Sequence, residues 1–208
     1  EGSVLGAPPP DGAWAQFPSF AKANGIDISK VKVEPVGFPT REPMLAEGKV
    51  DSVTGFSFSS YLNLVRLGVP EEDISTILMA DHGLKLYGNA VIVNTDYAKN
   101  NSDMVKKFLV AIGAGWRDAI KDPKAAAAAL VKRNPAADAA LEQRRLQLAI
   151  DANVLTDYVK ANGMGGVDSS RFAAAIEQLS ETYEYKAAPN AALYFTDEYL
   201  PASGISLN

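Results

Sequence analysis

Val4-Leu5-Gly6-Ala7, followed by Pro8-Pro9-Pro10-Asp11-Gly12, opens a stretch from Ser3 to Ser60 whose rhythm decides the fold. A helical pattern, Ala13–Asn24, closes at Gly25, and Val31-Lys32-Val33-Glu34-Pro35-Val36 follows it. That run enters Gly37 and Pro39, after which Arg41–Glu47 reads as a second helix closing at Gly48. Ser52-Val53-Thr54-Gly55-Phe56 then opens into Ser57-Phe58-Ser59-Ser60. Short apolar runs bounded by turn formers read as strands, and the periodic segments between them as helices, so the order is β-α-β-α-β. Right-handed crossovers make such strands parallel, in the order second, first, third. Open parallel sheets bind small ligands at the carboxyl ends of their strands, where the chain reverses its direction of growth. The loops Pro8–Trp14 and Gly55–Ser60 lie on either side of that reversal.

Beyond Ser60 the same rhythm continues. Ser59–Leu67 reads as a helix stopping at Gly68, and Ile74–Met79 and Tyr87–Val93 are apolar, β-branched runs expected to be further strands. From Tyr97 the pattern becomes helical. Ser102 is placed to cap a helix with Val105, Phe108, Leu109, Ile112, Trp116 and Ile120 on one face. Asp122-Pro123 ends it and starts a helix through Ala125–Val131, and Asn134-Pro135 starts one running to about Asn153. Thr156 caps a short helix ending at Gly163. Asp168 caps a longer one, with Phe172, Ile176, Leu179 and Tyr183 on one face, and Ala191–Leu200 reads as a last helical stretch. Residues 1–93 are therefore expected to be α/β and residues 97–208 all-helical. So many amphipathic helices exceed what a sheet of about five strands can cover, so either they form a bundle of their own or a second sheet lies outside this chain, the second being favoured.

Composition narrows the chemistry. The net charge of −5 argues against nucleic acid as a partner, since phosphate recognition needs a basic face. No apolar run approaches the length of a membrane span. The chain has no cysteine and a single histidine, His82. Disulfides, thiolate catalysis and multi-histidine zinc sites are thereby excluded, and no cofactor or metal site is expected. Phosphate-loop and dinucleotide signatures are missing. His82 as a catalytic base would need an oriented nucleophile, and no Gly-x-Ser-x-Gly elbow occurs, so catalytic residues are not expected.

Three motifs carry a family resemblance: Gly6-Ala7-Pro8 with Asp11-Gly12-Ala13-Trp14-Ala15-Gln16-Phe17, Arg41 to Gly55 with its Gly48-Lys49-Val50-Asp51 core, and Tyr87-Gly88-Asn89-Ala90-Val91-Ile92-Val93. In this order they resemble the NMT1/THI5-like substrate-binding proteins of bacterial ABC importers, a group that includes sulfonate, taurine, nitrate and pyrimidine-precursor binders. Phe195-Thr196-Asp197-Glu198-Tyr199-Leu200-Pro201 is similar to the group's final helix. The resemblance implies a type II periplasmic-binding-protein fold. Residues 1–88 would be the α/β second lobe with the ligand-facing loops. Residues 89–208 would hold a crossing strand and the C-terminal helices of the first lobe, most of whose own residues would precede this chain. It further implies closure about a hinge near Leu86–Val91, a small organic solute as ligand, ABC permease subunits as partners, and a monomer when full length. The implied location is periplasmic, or lipid-anchored outside the cytoplasm. The fungal pyrimidine synthases that share the fold need cysteine and histidine motifs that this chain lacks. The alternatives are a ligand-sensing or adaptor domain with no transport role, and an α/β domain with a helical interaction module.

Within that frame the expected ligand-binding residues are Asp11, Gly12, Ala13, Trp14, Gly55, Phe56, Ser57, Phe58, Ser60 and Tyr87. Asp11 can cap the first helix, leaving backbone N–H groups of Gly12, Ala13 and Trp14 for an anionic or carbonyl group, with Trp14 as an aromatic face. Equally, Asp11 is only a cap and Trp14 packs on the sheet. Gly55 to Ser60 supplies hydroxyls between aromatic rings, or simply begins a helix. Tyr87, on the expected crossing strand, would touch a ligand between lobes. Either Arg41 reaches an acidic ligand or, as favoured, Thr40 caps the second helix while Arg41 and Glu42 face water.

Overall fold

The computed structural model describes residues 2–202 and 204–207. The chain divides into two compact units, Glu1–Tyr87 with Ser169–Pro189, and Gly88–Asp168 with Asn190–Asn208.

The first unit is built on the expected sheet. β1 (Val4–Ala7) lies between β2 (Lys32–Pro35) and β3 (Ser52–Val53), all parallel, in the order β2-β1-β3. Leu5 stands opposite Val33 on one side and Ser52 on the other, and Gly6 opposite Glu34 and Val53. Gly6 suits this central position because a Cβ there would press on Val50 and Val53 at 3.2–3.4 Å. α1 (Gly12–Ala23), α2 (Arg41–Ala46) and α3 (Ser57–Arg66) follow the strands in turn. Leu5, Ala7, Ala21, Val36, Val50, Leu62 and Leu64 form the buried core beneath them. β-branched and small residues fill the sheet layer because they pack on a pleated surface without rotamer loss.

Two expected strands are absent among the described residues. Ile74–Met79 is an extended segment ending in a single 3-10 turn (Met79–His82), and Tyr87–Val93 has no ladder partner. A strand is stabilised by its neighbour's backbone. Without one beside them, these apolar runs stay extended with Ile77, Val91 and Ile92 exposed, the last at 92%.

α9 (Ser169–Thr182) joins the first unit and packs on α1. Ser19 Oγ donates to Thr182 Oγ1 at 2.9 Å, Lys22 pairs with Glu181 at 3.1 Å, and the Tyr183 hydroxyl donates to the Ala15 carbonyl. These contacts bring the end of α9 against α1.

The second unit is helical: α4 (Thr95–Asn100), α5 (Ser102–Lys121), α6 (Pro123–Arg133), α7 (Ala139–Ala149) and α8 (Asp157–Asn162). Asp122 caps α6 and Thr156 caps α8 as the sequence suggests. Other boundaries differ. Asn94 caps an unforeseen short helix, accepting from the Asp96 and Tyr97 N–H groups, and α5 follows it so closely that Ser102 is already helical. α7 starts at Asp138, whose carboxylate accepts from Leu141 N at 2.7 Å, rather than at Asn134-Pro135. A single π turn (Ile150–Val154) extends it. Ala191–Leu200 forms only a 3-10 turn, Ala191–Leu193. The apolar face of α5 is partly covered. Val105 is buried, Leu109, Ile112, Trp116 and Ile120 are half-buried, and Phe108 is exposed.

Candidate functional site

The carboxyl ends of all three strands meet around one guanidinium. Ala7 leads through Pro8–Pro10 into Asp11, Pro35 leads through Gly37–Thr40 into Arg41, and Val53 leads into Thr54 and Gly55. Arg41 Nη1 donates to Asp11 Oδ2 at 3.3 Å, while Nε and Nη2 donate to Glu42 Oε1 at 2.9 and 2.7 Å. Nη2 also donates to Ser60 Oγ at 2.9 Å. Asp11 Oδ2 accepts the Thr54 hydroxyl at 3.2 Å, and Asp11 Oδ1 accepts Ala13 N–H at 3.2 Å. Arg41 and Glu42 are 6% and 3% exposed, contrary to the expectation that they face water.

The physical reason lies in the partners. A guanidinium is buried when fixed acceptors match its fork, and here two carboxylates and a hydroxyl do so. Thr40 makes no side-chain cap to α2; its hydroxyl donates instead to the Gly37 carbonyl at 3.1 Å. Phe38 covers the network from outside, its ring centre 5.7 Å from Arg41 Cζ. Gly55 is dictated by the same cluster. A Cβ there would overlap Ser60 Oγ and come within 3.2 Å of Arg41 Cζ and Nη2.

Most expected site residues converge on this edge. Asp11, Gly12, Ala13 and Trp14 open α1, and Gly55, Phe56, Ser57, Phe58 and Ser60 open α3, each helix following a strand on one side of the reversal. Their roles divide. Asp11, Gly55 and Ser60 belong to the buried network, whereas Gly12 and Phe56 are exposed and Trp14, Ser57 and Phe58 half-buried. Trp14 stacks on Phe17 at 5.6 Å, and Phe56 on Phe58 at 5.5 Å, giving an aromatic pair beside each helix start. α1 is capped by Asp11, while α3 opens at Phe56 with no side-chain cap. Ser57 N–H has no helical partner by geometry, and it lies in the positive field of ten helical residues.

Tyr87 packs against the start of α9. Arg171 lies over its ring at 4.5 Å and Phe172 sits 6.3 Å away, both at the start of α9. The end of α9 meets α1, and Arg171 lies about 16 Å from Thr182 along the helix axis at the usual rise per residue. Sequence reasoning, for its part, missed Arg41 as the centre of the network. Its one available signal was an arginine opening the helix that follows the second strand, level with Asp11.

An open groove of about 490 Å³ lies elsewhere, between α5 and α6, lined by small residues such as Gly115, Ala125 and Ala129 together with Asp118, Asp122 and Arg133. Small residues open that groove between the two helices. Among the described residues no group of three or more acidic or histidine side chains is placed to hold a metal ion. No helix among them is long and apolar enough to cross a membrane.

A parallel βαβαβ layer in reversed strand order, with two helices opening at its carboxyl edge, defines an α/β lobe of the periplasmic-binding-protein kind. The family comparison agrees: the NMT1/THI5-like family model matches residues 1–126, and the chain belongs to that family. Its members are typically substrate-binding components of transporters. No match to a curated protein accompanies it.

Proposed function

We propose that this protein captures a small organic solute for an ABC importer, without chemical transformation, at the edge formed by the starts of α1 and α3. The observation that carries the reading is the pairing of those two starts across the strand reversal, locked by Arg41. A locked edge supplies preorganised donors, which is where a binding protein gains affinity. The solute's polar group would meet Ser57 N–H and hydroxyl and the free N–H groups of Gly12 and Trp14. Its body would lie against the Trp14 and Phe56 rings. A sulfonate, a carboxylate or a nitrogenous ring such as a pyrimidine meets these requirements. Family membership supports an extracytoplasmic location, periplasmic or lipid-anchored, and ABC permease subunits as the partner. In this reading the first unit is mainly the second lobe, and the chain's passage between units at Tyr87–Gly88 falls in the stretch expected as a hinge.

The test is a differential one. Equilibrium dialysis of the protein and of Ser57→Glu against a small-molecule extract, read by mass spectrometry, should show a solute retained by the first and not by the second. A carboxylate placed at the α3 start fills the donors and repels anions. Equal retention by both proteins of every solute would contradict the assignment of the edge.

A further inference from the structure

Among the described residues no strand neighbours the segment Gly83–Tyr87, yet several of its backbone groups are met by side chains. Gln178 Nε2 donates to the Gly83 carbonyl at 2.8 Å, and Gln178 Oε1 accepts the Lys85 N–H at 2.8 Å. Arg171 Nε donates to the Lys85 carbonyl at 3.1 Å and Nη2 to the Leu86 carbonyl at 2.9 Å, with the guanidinium lying over the Tyr87 ring at 4.5 Å. Four backbone groups between Gly83 and Leu86 are thus met by two side chains of α9. Leu84 is 4% exposed and anchors the segment from within. Arg171, Ala175, Gln178 and Thr182 recur at i, i+4, i+7 and i+11, so they form one stripe along the helix. Ala175, between the two polar clamps, is buried and has no side chain long enough to hold the segment away.

We infer that this stripe is a clip that replaces sheet pairing and fixes the point where the chain leaves the first unit. Its place in the chain makes it more than a loop tether. Tyr87 is the last residue before one passage between units, and Ser169, two residues before Arg171, is the first after another. One arginine therefore ties together the ends of two passages. Both carbonyls it holds are backbone, so the contact depends on the guanidinium fork and the ring-stacking plane, which a lysine does not reproduce. The clip is independent of what the sheet edge binds.

Hydrogen exchange of the Lys85 amide, followed by NMR on the whole protein, tests it. Exchange should quicken at least about tenfold in Gln178→Ala, the order expected when one local hydrogen bond sets protection. It should quicken comparably in Arg171→Ala, although Arg171 does not touch that amide. Amides of β1 and of α3 around Leu62 should keep their rates. Gln178→Glu retains an acceptor for Lys85 N–H and should stay closer to the unaltered protein than Gln178→Ala. An unchanged Lys85 rate in both alanine variants overturns the clip. So does equal quickening throughout the first unit, which would make the stripe ordinary packing, and so does equal exchange in Gln178→Glu and Gln178→Ala.

Discussion

Two helices begin at the same sheet edge, and they begin differently. α1 is closed by Asp11, whose carboxylate accepts Ala13 N–H and at the same time binds Arg41 and Thr54. α3 opens on Phe56, which has no group to cap it. The first start is largely architecture, its field answered by a buried side chain, whereas the field of the second is met by no side-chain cap. The difference also explains why polar residues at one edge fall into two sets. Asp11, Arg41, Glu42, Thr54 and Ser60 are buried and mutually bonded, while Gly12 and Phe56 are exposed and Ser57 is half-buried.

The strongest way to break this contrast is to remove its centre. Arg41→Ala leaves Asp11 and Glu42 buried without their partner, and should cost about 3–5 kcal/mol of stability by urea denaturation. A cost below about 1 kcal/mol would mean that the network is wet and that the two starts are equivalent. Next comes Asp11→Ala, which deletes a cap worth about 1 kcal/mol and a charge-assisted bond, for a total of about 2–3 kcal/mol. Asp11→Asn, measured beside it, should recover the cap part only.

Closing the open start sharpens the comparison from the other side. Phe56→Asp supplies α3 with a cap worth about 1 kcal/mol and removes ring stacking on Phe58 of about 0.5–1.5 kcal/mol. Stability should therefore move by less than about 1 kcal/mol, while solute retention is lost. Retention at the original level would show that the α3 start takes no part.

The smallest effect concerns the far side of α1. Burial, and secondarily Tyr185, raise the Tyr183 phenol above its ordinary value of 10.0. A phenol raised on folding contributes stability that is whole below the unfolded value and is lost as pH rises through the folded one. The α1–α9 contact made by its hydroxyl to the Ala15 carbonyl should accordingly weaken only in the alkaline range. Tyr183→Phe should flatten that response in urea midpoints measured from neutral to alkaline pH.

How much of this was legible from the residues follows from what each feature depends on. β1, α1 and the order β2-β1-β3 depend on local turn formers and short apolar runs, and they stand where the sequence places them. The convergence of Asp11 and Ser57 on one edge followed from that topology. The burial of Arg41 was not readable. It rests on Asp11, thirty positions earlier, and Ser60, nineteen later, and an arginine beside a glutamate otherwise looks like a solvated helix surface. Ile74–Met79 and Tyr87–Val93 failed for the opposite reason. Their β-branched composition is a statement about how they would pack in a sheet, and pairing requires a neighbour that the composition does not supply. Tyr87 was placed by its expected strand, and with the strand absent it turned to Arg171 instead. The helix starts at Asn94 and Asp138 show a gentler form of the problem, since several residues nearby can cap and packing decides among them.

The central claim is that the sheet edge, and in it the open start of α3, receives the solute. Backbone amide shifts of the labelled protein, recorded as the retained solute is added, test it most directly. The account expects the largest shifts at Ser57 and Phe58, with smaller ones at Gly12 and Trp14. Shifts confined to the groove between Gly115 and Arg133, with the α3 start unmoved, would contradict it.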